Sequence, residues 1–143
     1  MFKILPKYFE VLRVVAEDIE PVRNAQLAAM IVYKGRIISI GYNQKKTHPM
    51  AAKFGKNPDA IFLHAEVDAI VKAKKKLSDA ELKKSTLIVL RVKEDNEGNK
   101  MFGIAKPCPG CSKCIAAHDI KTVIYTENSL QTELIYVTKE RLK

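Results

Sequence analysis

Residues 27–33, Leu-Ala-Ala-Met-Ile-Val-Tyr, carry no charge and almost no polarity. An apolar run of this length suits a strand buried on both faces, so the segment is expected at the centre of a sheet covered on each side. Lys34-Gly35-Arg36 follows, and then a second β-rich run at 37–42. Gly35 can supply the positive φ that a tight hairpin needs. Ahead of the hairpin, Leu5, Phe9, Leu12, Ala16 and Ile19 recur at helical spacing; Pro6 suits the first turn and Pro21 ends the helix by withholding a donor. Beyond it, residues 43–60 break the pattern with Pro49, Gly55, Pro58 and four lysines, Lys45, Lys46, Lys53 and Lys56. Loops of that length in small domains tend to be functional.

A helical pattern resumes at His64, and strands are expected at 87–92, 101–105 and 121–125. A short helix fits 111–118, and a last β-rich stretch covers 130–137. Strand and helix alternate, so the chain is expected to form one α/β layered domain, residues 1–143, around a mixed sheet. Apolar residues make up 47% and charged residues 29%, which excludes a disordered chain. Three cysteines, all between Cys108 and Cys114, cannot cross-link distant segments; they are expected as reduced thiols or metal ligands in a reducing compartment. The apolar runs are too short to cross a bilayer, and residues 1–7 lead into a helix rather than a signal-peptide core. A cytoplasmic protein is expected by default. The net charge of +9 suits an anionic partner such as a nucleotide or nucleic acid, and equally serves solubility.

Chemistry concentrates in two short motifs. His64-Ala65-Glu66 opens one helix, and Pro107-Cys108-Pro109-Gly110-Cys111 opens another. Two thiolates three positions apart at a helix start can face one ion, and the histidine supplies a third ligand. Three protein ligands leave the fourth tetrahedral zinc position open, which is the catalytic rather than the structural pattern. Glu66 follows His64 by two positions and can face the same pocket without binding the metal, as a proton carrier must. Each motif alone is weak; in this order, each at an expected helix start, they reinforce one another. A closed four-ligand structural zinc site in a non-catalytic binding module is the competing reading.

His-x-Glu followed by Pro-Cys-x-x-Cys is the signature of the zinc deaminases. The chain resembles the cytidine and deoxycytidylate deaminase superfamily from about residue 8 to 127. Tyr8-Phe9, Gly41-Tyr42-Asn43, His64-Ala65-Glu66, Ala69-Ile70 and Ile120-Lys121 with Val123 look like its deoxycytidylate branch. The resemblance implies a three-layer fold, a five-stranded mixed sheet flanked by helices, with zinc held between two helix starts. It implies that His64, Cys108 and Cys111 bind Zn2+, that Glu66 shuttles protons to the cytosine ring and the departing amine, and that Asn43 bonds the sugar. Ala65 and His48 are further candidate substrate contacts. It also implies a homo-oligomer acting on a free cytosine nucleotide, most simply dCMP to dUMP; a base within single-stranded DNA or RNA is the alternative.

The chain departs from that branch at three places. Asp68 stands where asparagine is usual, residues 45–49 are not the usual family sequence, and little chain remains after Tyr125. The final strand is therefore expected to follow directly and pair antiparallel, as in free-cytidine deaminases. Cys114 and His118 could join His48 in a second metal site, but they fit better as a core residue and a helix C-terminal histidine. Lys72, Lys75 and Lys76 are expected on the solvated outer face of the Glu66 helix.

Overall fold

The structure, a computed structural model, describes residues 6–19, 21, 26–44, 63–130 and 137–141. Helix α1 (Pro6–Asp18) leads into strands β1 (Gln26–Tyr33) and β2 (Arg36–Tyr42). Then come α2 (Ala65–Ala73), α3 (Asp79–Lys83), β3 (Thr86–Glu94) and β4 (Lys100–Gly103). Helix α4 (Pro109–Ala117) and strands β5 (Thr122–Thr126), β6 (Ser129–Leu130) and β7 (Val137–Arg141) complete the order.

Strand β1 lies between β2 and β3, antiparallel to both, and β3 runs parallel to β5. The side-chain alternation of β1 explains its unbroken apolar sequence. Ala28 and Met30 point to one face, where Phe9, Leu12 and Ala16 of α1 cover them. Ala29 and Ile31 point to the other, under Ala69 and Ile70 of α2 and Ile115 of α4. The result is a mixed sheet between helical layers, as the central-strand reading requires.

The sheet has seven strands among the described residues, not five. The additional strands are short or polar: β6 has two residues, and β7 reads Val-Thr-Lys-Glu-Arg. Charged residues suit an edge strand because they discourage further pairing, but they give no apolar alternation to read. Strand β7 pairs antiparallel with β5, as expected, although it begins at Val137, where the sequence reading ended its β-rich stretch. The hairpin turn is tighter than Lys34-Gly35-Arg36. Tyr33 pairs with Arg36, so the loop is Lys34-Gly35, with φ of 50° and 75°. Helix α3 was not anticipated, although its signal is present. Ser78 and Glu81 form a reciprocal capping box, each side chain bonding the other's backbone N–H.

Helix α2 lies along the outer edge of β2, and four contacts define their register. Lys76 Nζ donates to Ile38 O at 3.2 Å, Lys72 Nζ to Ile40 O at 3.2 Å, and Tyr42 N–H to Asp68 Oδ2 at 3.1 Å. Gln44 N–H then donates to Leu63 O at 2.9 Å. Four helical residues rise about 6 Å and two strand residues about 6.7 Å, so Asp68 and Lys72 of α2, and Lys76 in the turn that follows it, match alternate residues of the strand. Lys72 and Lys76 therefore close a sheet edge rather than simply facing solvent; Lys75 is exposed, as expected. Gly41 lets the two elements approach. A Cβ there would lie 2.3 Å from Ala69 N and 2.5 Å from Ala65 O.

Candidate active site

Two helix N-termini converge on one point. His64 is the N-cap residue of α2, and Cys108 is the N-cap residue of α4, with Pro109 fixing the first turn behind it. Cys111, one turn into α4, is buried. His64 Nδ1 lies 3.2 Å from Cys111 Sγ and 3.5 Å from Cys108 Sγ. Among the described residues this is the one cluster of three possible metal-ligand atoms.

The donor set fits zinc. Two soft thiolates and an imidazole are its preferred ligands, and a tetrahedral ion with ordinary Zn–S and Zn–N bonds sets such atoms about 3.5–3.8 Å apart. The two sulfurs are electrically unequal. The hydrogen bond from the Cys111 thiol, with His64 acting in the same direction and burial against them, pulls the Cys108 thiol down to about 4. That same bond, and then burial, push Cys111 well up. A helix N-terminus favours a thiolate at Cys108, and its sulfur accepts the Cys111 backbone N–H at 3.4 Å.

Glu66 sits in the first turn of α2 and is 4% exposed. Burial raises its carboxyl above the usual range, while the nearby His64 draws it back down. The helix start thus carries an imidazole at one position and a buried carboxyl two positions later, both beside the sulfur pair. Ala65 between them is fully buried, with its carbonyl under Gly41.

Asn43 is also buried, just beyond the end of β2. Its Oδ1 accepts the Leu27 N–H at 2.9 Å and its own N–H donates to Leu27 O, so the residue extends the β1–β2 pairing with its side chain. It lines a cleft of about 490 Å³ together with Val14, Asp18, Ile19 and Gln44. None of His64, Cys108 and Cys111 lines that cleft. Among the described residues, Asn43 is the one sequence candidate for substrate contact that lines it. His48 and the lysines at 45, 46, 53 and 56 lie outside the described residues.

Cys114 is fully buried in the core beneath the sheet. His118 caps the end of α4 with Nδ1 2.8 Å from Cys114 O. Both take the structural places expected of them. The residue that sequence reasoning undervalued is Asp68, which appeared only as a departure from a family pattern. It is buried one turn beyond His64, and a buried acid on the helix that carries Glu66 was the available signal.

A mixed sheet between helices, with a His/Cys/Cys cluster at two helix starts and a buried glutamate beside it, defines the zinc-dependent deaminase class. The chain belongs to the cytidine and deoxycytidylate deaminase family, whose zinc-binding region matches residues 3–127. No curated protein sequence matches it significantly. The dCMP deaminase of cyanophage S-TIM5 is similar in structure, with a TM-score of 0.57 and 26% identity over 85% of this chain and 81% of that one. The same phage enzyme crystallised with dCMP and dUMP gives a TM-score of 0.53 at 24% identity, covering 84% and 78%. A cytidine deaminase from Burkholderia pseudomallei shares the fold, with a TM-score of 0.60 at 16% identity over 95% and 92%.

Proposed function

We propose that this chain is a single-domain zinc-dependent deaminase of a free cytosine nucleotide, converting dCMP to dUMP and releasing ammonia. The observation that carries the reading is the buried Glu66 beside three clustered zinc donors, within a fold whose similar structures include a deaminase holding dCMP and dUMP. His64, Cys108 and Cys111 would hold the ion. A zinc ion there supplies the Lewis acidity that makes water nucleophilic near neutral pH.

Glu66 takes a proton from the attacking water and delivers it to the ring nitrogen beside C4, which makes that carbon electrophilic. The water oxygen bonds C4 to give a tetrahedral carbon; Glu66 then takes the second proton from that oxygen and passes it to the amine as the C4–N bond breaks. One water and one amino group become a carbonyl and ammonia. Because Glu66 is buried, its proton is kept from bulk solvent between the two transfers. Asn43 bonds the sugar, away from the reacting ring, with Ala65 and His48 as further contacts. The active form is a homo-oligomer in the cytoplasm; no described helix is long and apolar enough to cross a membrane.

A mass-spectrometric screen of the zinc-loaded protein tests the reading. Its panel holds dCMP, cytidylate, both free nucleosides, a single-stranded DNA and a tRNA mixture, with Glu66→Gln as control. Turnover of dCMP is expected. The second reading, a base within single-stranded nucleic acid, draws on the charge of +9 and on cations without ion-pair partners among the described residues. Lys34, Arg36, Lys74, Lys75, Lys83 and Lys84 are of this kind, but Lys34 and Arg36 flank the hairpin turn and Lys74 lies beyond the far end of α2. That helix alone separates Lys74 from His64 by about 14 Å. Turnover of the polymers alone, with an affinity that falls steeply with salt, would establish this second reading.

The metal assignment has its own test. Elemental analysis of purified protein should find about one zinc per chain, and Cys108→Ala should bring it close to zero. A Cys108→Ala protein that keeps full zinc would remove Cys108 from the ligand set.

A further inference from the structure

Against the end of β2 stands a buried carboxylate, Asp68, that neither the metal cluster nor the proton path uses. Asp68 Oδ2 accepts three bonds: from Tyr42 N–H at 3.1 Å, from Gln44 Nε2 at 3.1 Å and from Lys72 Nζ at 2.9 Å. The first two donors are the residues on either side of Asn43. The third lies one helical turn further along α2, reaches Ile40 O as well, and sits 5.1 Å over the Tyr42 ring. One buried oxygen thus ties the strand end, the residue beyond it and the helix together.

We propose that Asp68 is a positioning residue, which holds the Tyr42–Gln44 segment, and Asn43 within it, at a fixed place against the helix bearing His64 and Glu66. The inference rests on the proposed deaminase reading and gives it a determinant of substrate binding. On its inner side, Asn43 is fixed by Leu27 through two hydrogen bonds. On its outer side, the segment is held by the Asp68 contacts, with the Gln44 side-chain bond to Tyr42 O and the Gln44–Leu63 backbone bond beside them. Without Asp68 the Tyr42 N–H loses its acceptor and Gln44 loses its anchor to the helix. Asn43 would then sample positions at which its sugar contact is not made. A sugar contact remote from the reacting ring acts on ground state and transition state alike, so its loss appears in KM rather than in kcat.

The chemistry of the acceptor makes the test specific. All three bonds end on one oxygen, and an asparagine can present its single carbonyl oxygen to the same donors. Asp68→Ala is expected to raise KM for dCMP about 10-fold with kcat changed less than about 3-fold, because the acceptor of three hydrogen bonds is lost. Asp68→Asn should stay within about 3-fold of the parent in both constants. Backbone amide exchange reports the same device without turnover. The Tyr42 N–H should exchange at least about 10-fold faster in Asp68→Ala and at the parental rate in Asp68→Asn.

If Asp68→Ala does not fold, Gln44→Leu removes one donor and leaves the Asp68–Lys72 pair, and a smaller rise in KM is expected from it. Unchanged KM and unchanged exchange in Asp68→Ala would overturn the proposal. So would a lower Tm with both kinetic constants intact, or an Asp68→Asn protein as impaired as Asp68→Ala. Where the parent protein turns over nothing in the panel, the deaminase reading fails on that result, and the exchange rates alone decide whether Asp68 positions the segment.

Discussion

Glu66→Gln is expected to keep its zinc and its fold while kcat falls about 10²–10⁴-fold, the range over which a positioned proton carrier contributes. The substitution preserves the volume and planarity of a side chain that is 4% exposed, so no cavity opens beneath the metal cluster. It removes one ability, that of taking the water's two protons in turn and passing one to the ring nitrogen and one to the departing amine. The three donors, His64 at the start of α2 and Cys108 and Cys111 in α4, are untouched. Stability should not suffer, because the native residue buries a carboxyl at a desolvation cost that an amide avoids. Elemental analysis, thermal unfolding and a dCMP assay on one preparation read all three expectations. A Glu66→Gln enzyme with parental kcat would take the proton path away from Glu66, whatever its zinc content.

The second large effect is expected where no chemistry occurs. Gly41→Ala should destabilise the fold by about 3 kcal/mol or more, above the usual range for overpacking. The added Cβ would meet Ala69 N at 2.3 Å, Ala65 O at 2.5 Å and Asp68 C at 2.9 Å. All three are backbone atoms of α2, and none can rotate away. The helix must retreat from β2 by about 1 Å to restore ordinary contact distances. That retreat pulls on the Ser39 Oγ–Ala69 O bond of 2.7 Å and on the Lys76, Lys72 and Asp68 contacts to the strand edge. It also moves His64 and Glu66 relative to α4, so zinc affinity should fall with stability.

Gly35→Ala is the matched comparison. Gly35 has a φ of 75° with nothing within 4 Å of its added Cβ, so only the left-handed backbone costs, about 1–2 kcal/mol. Urea unfolding of the two variants separates close approach from backbone strain. A Gly41→Ala protein as stable as the parent would show that α2 can shift without loss.

The residues of the metal cluster were legible in the sequence because their chemistry and their local structure coincide. His64, Cys108 and Cys111 lie at or near helix starts, and helix starts are written in short-range signals such as Pro109 at the first turn. The two-sided strand β1 was legible for the same reason, since burial on both faces leaves an unbroken apolar run. The hairpin and α1 follow from similar local cues. Residues of polar edge strands carry no such pattern, which is why β6 and β7 were not bounded by sequence.

The role of Asn43 shows where local reading ends. The family resemblance implied a sugar contact for it, and nothing local showed that its Oδ1 also accepts the Leu27 N–H, sixteen positions earlier in the chain. Lys72 and Lys76 show it again. Cations at i and i+4 on a helix read as a solvated face, and nothing in their spacing says that an edge strand lies alongside. That information exists only in the antiparallel register of α2 on β2, where the spacing of Asp68, Lys72 and Lys76 matches alternate residues of the strand. Sequence by itself determined which atoms could bind the metal and carry the proton, because ligand type and helix phase are local properties. Tertiary structure decided what holds them in place, since Asp68, Gly41 and the strand edge act through contacts between residues 19 or more positions apart.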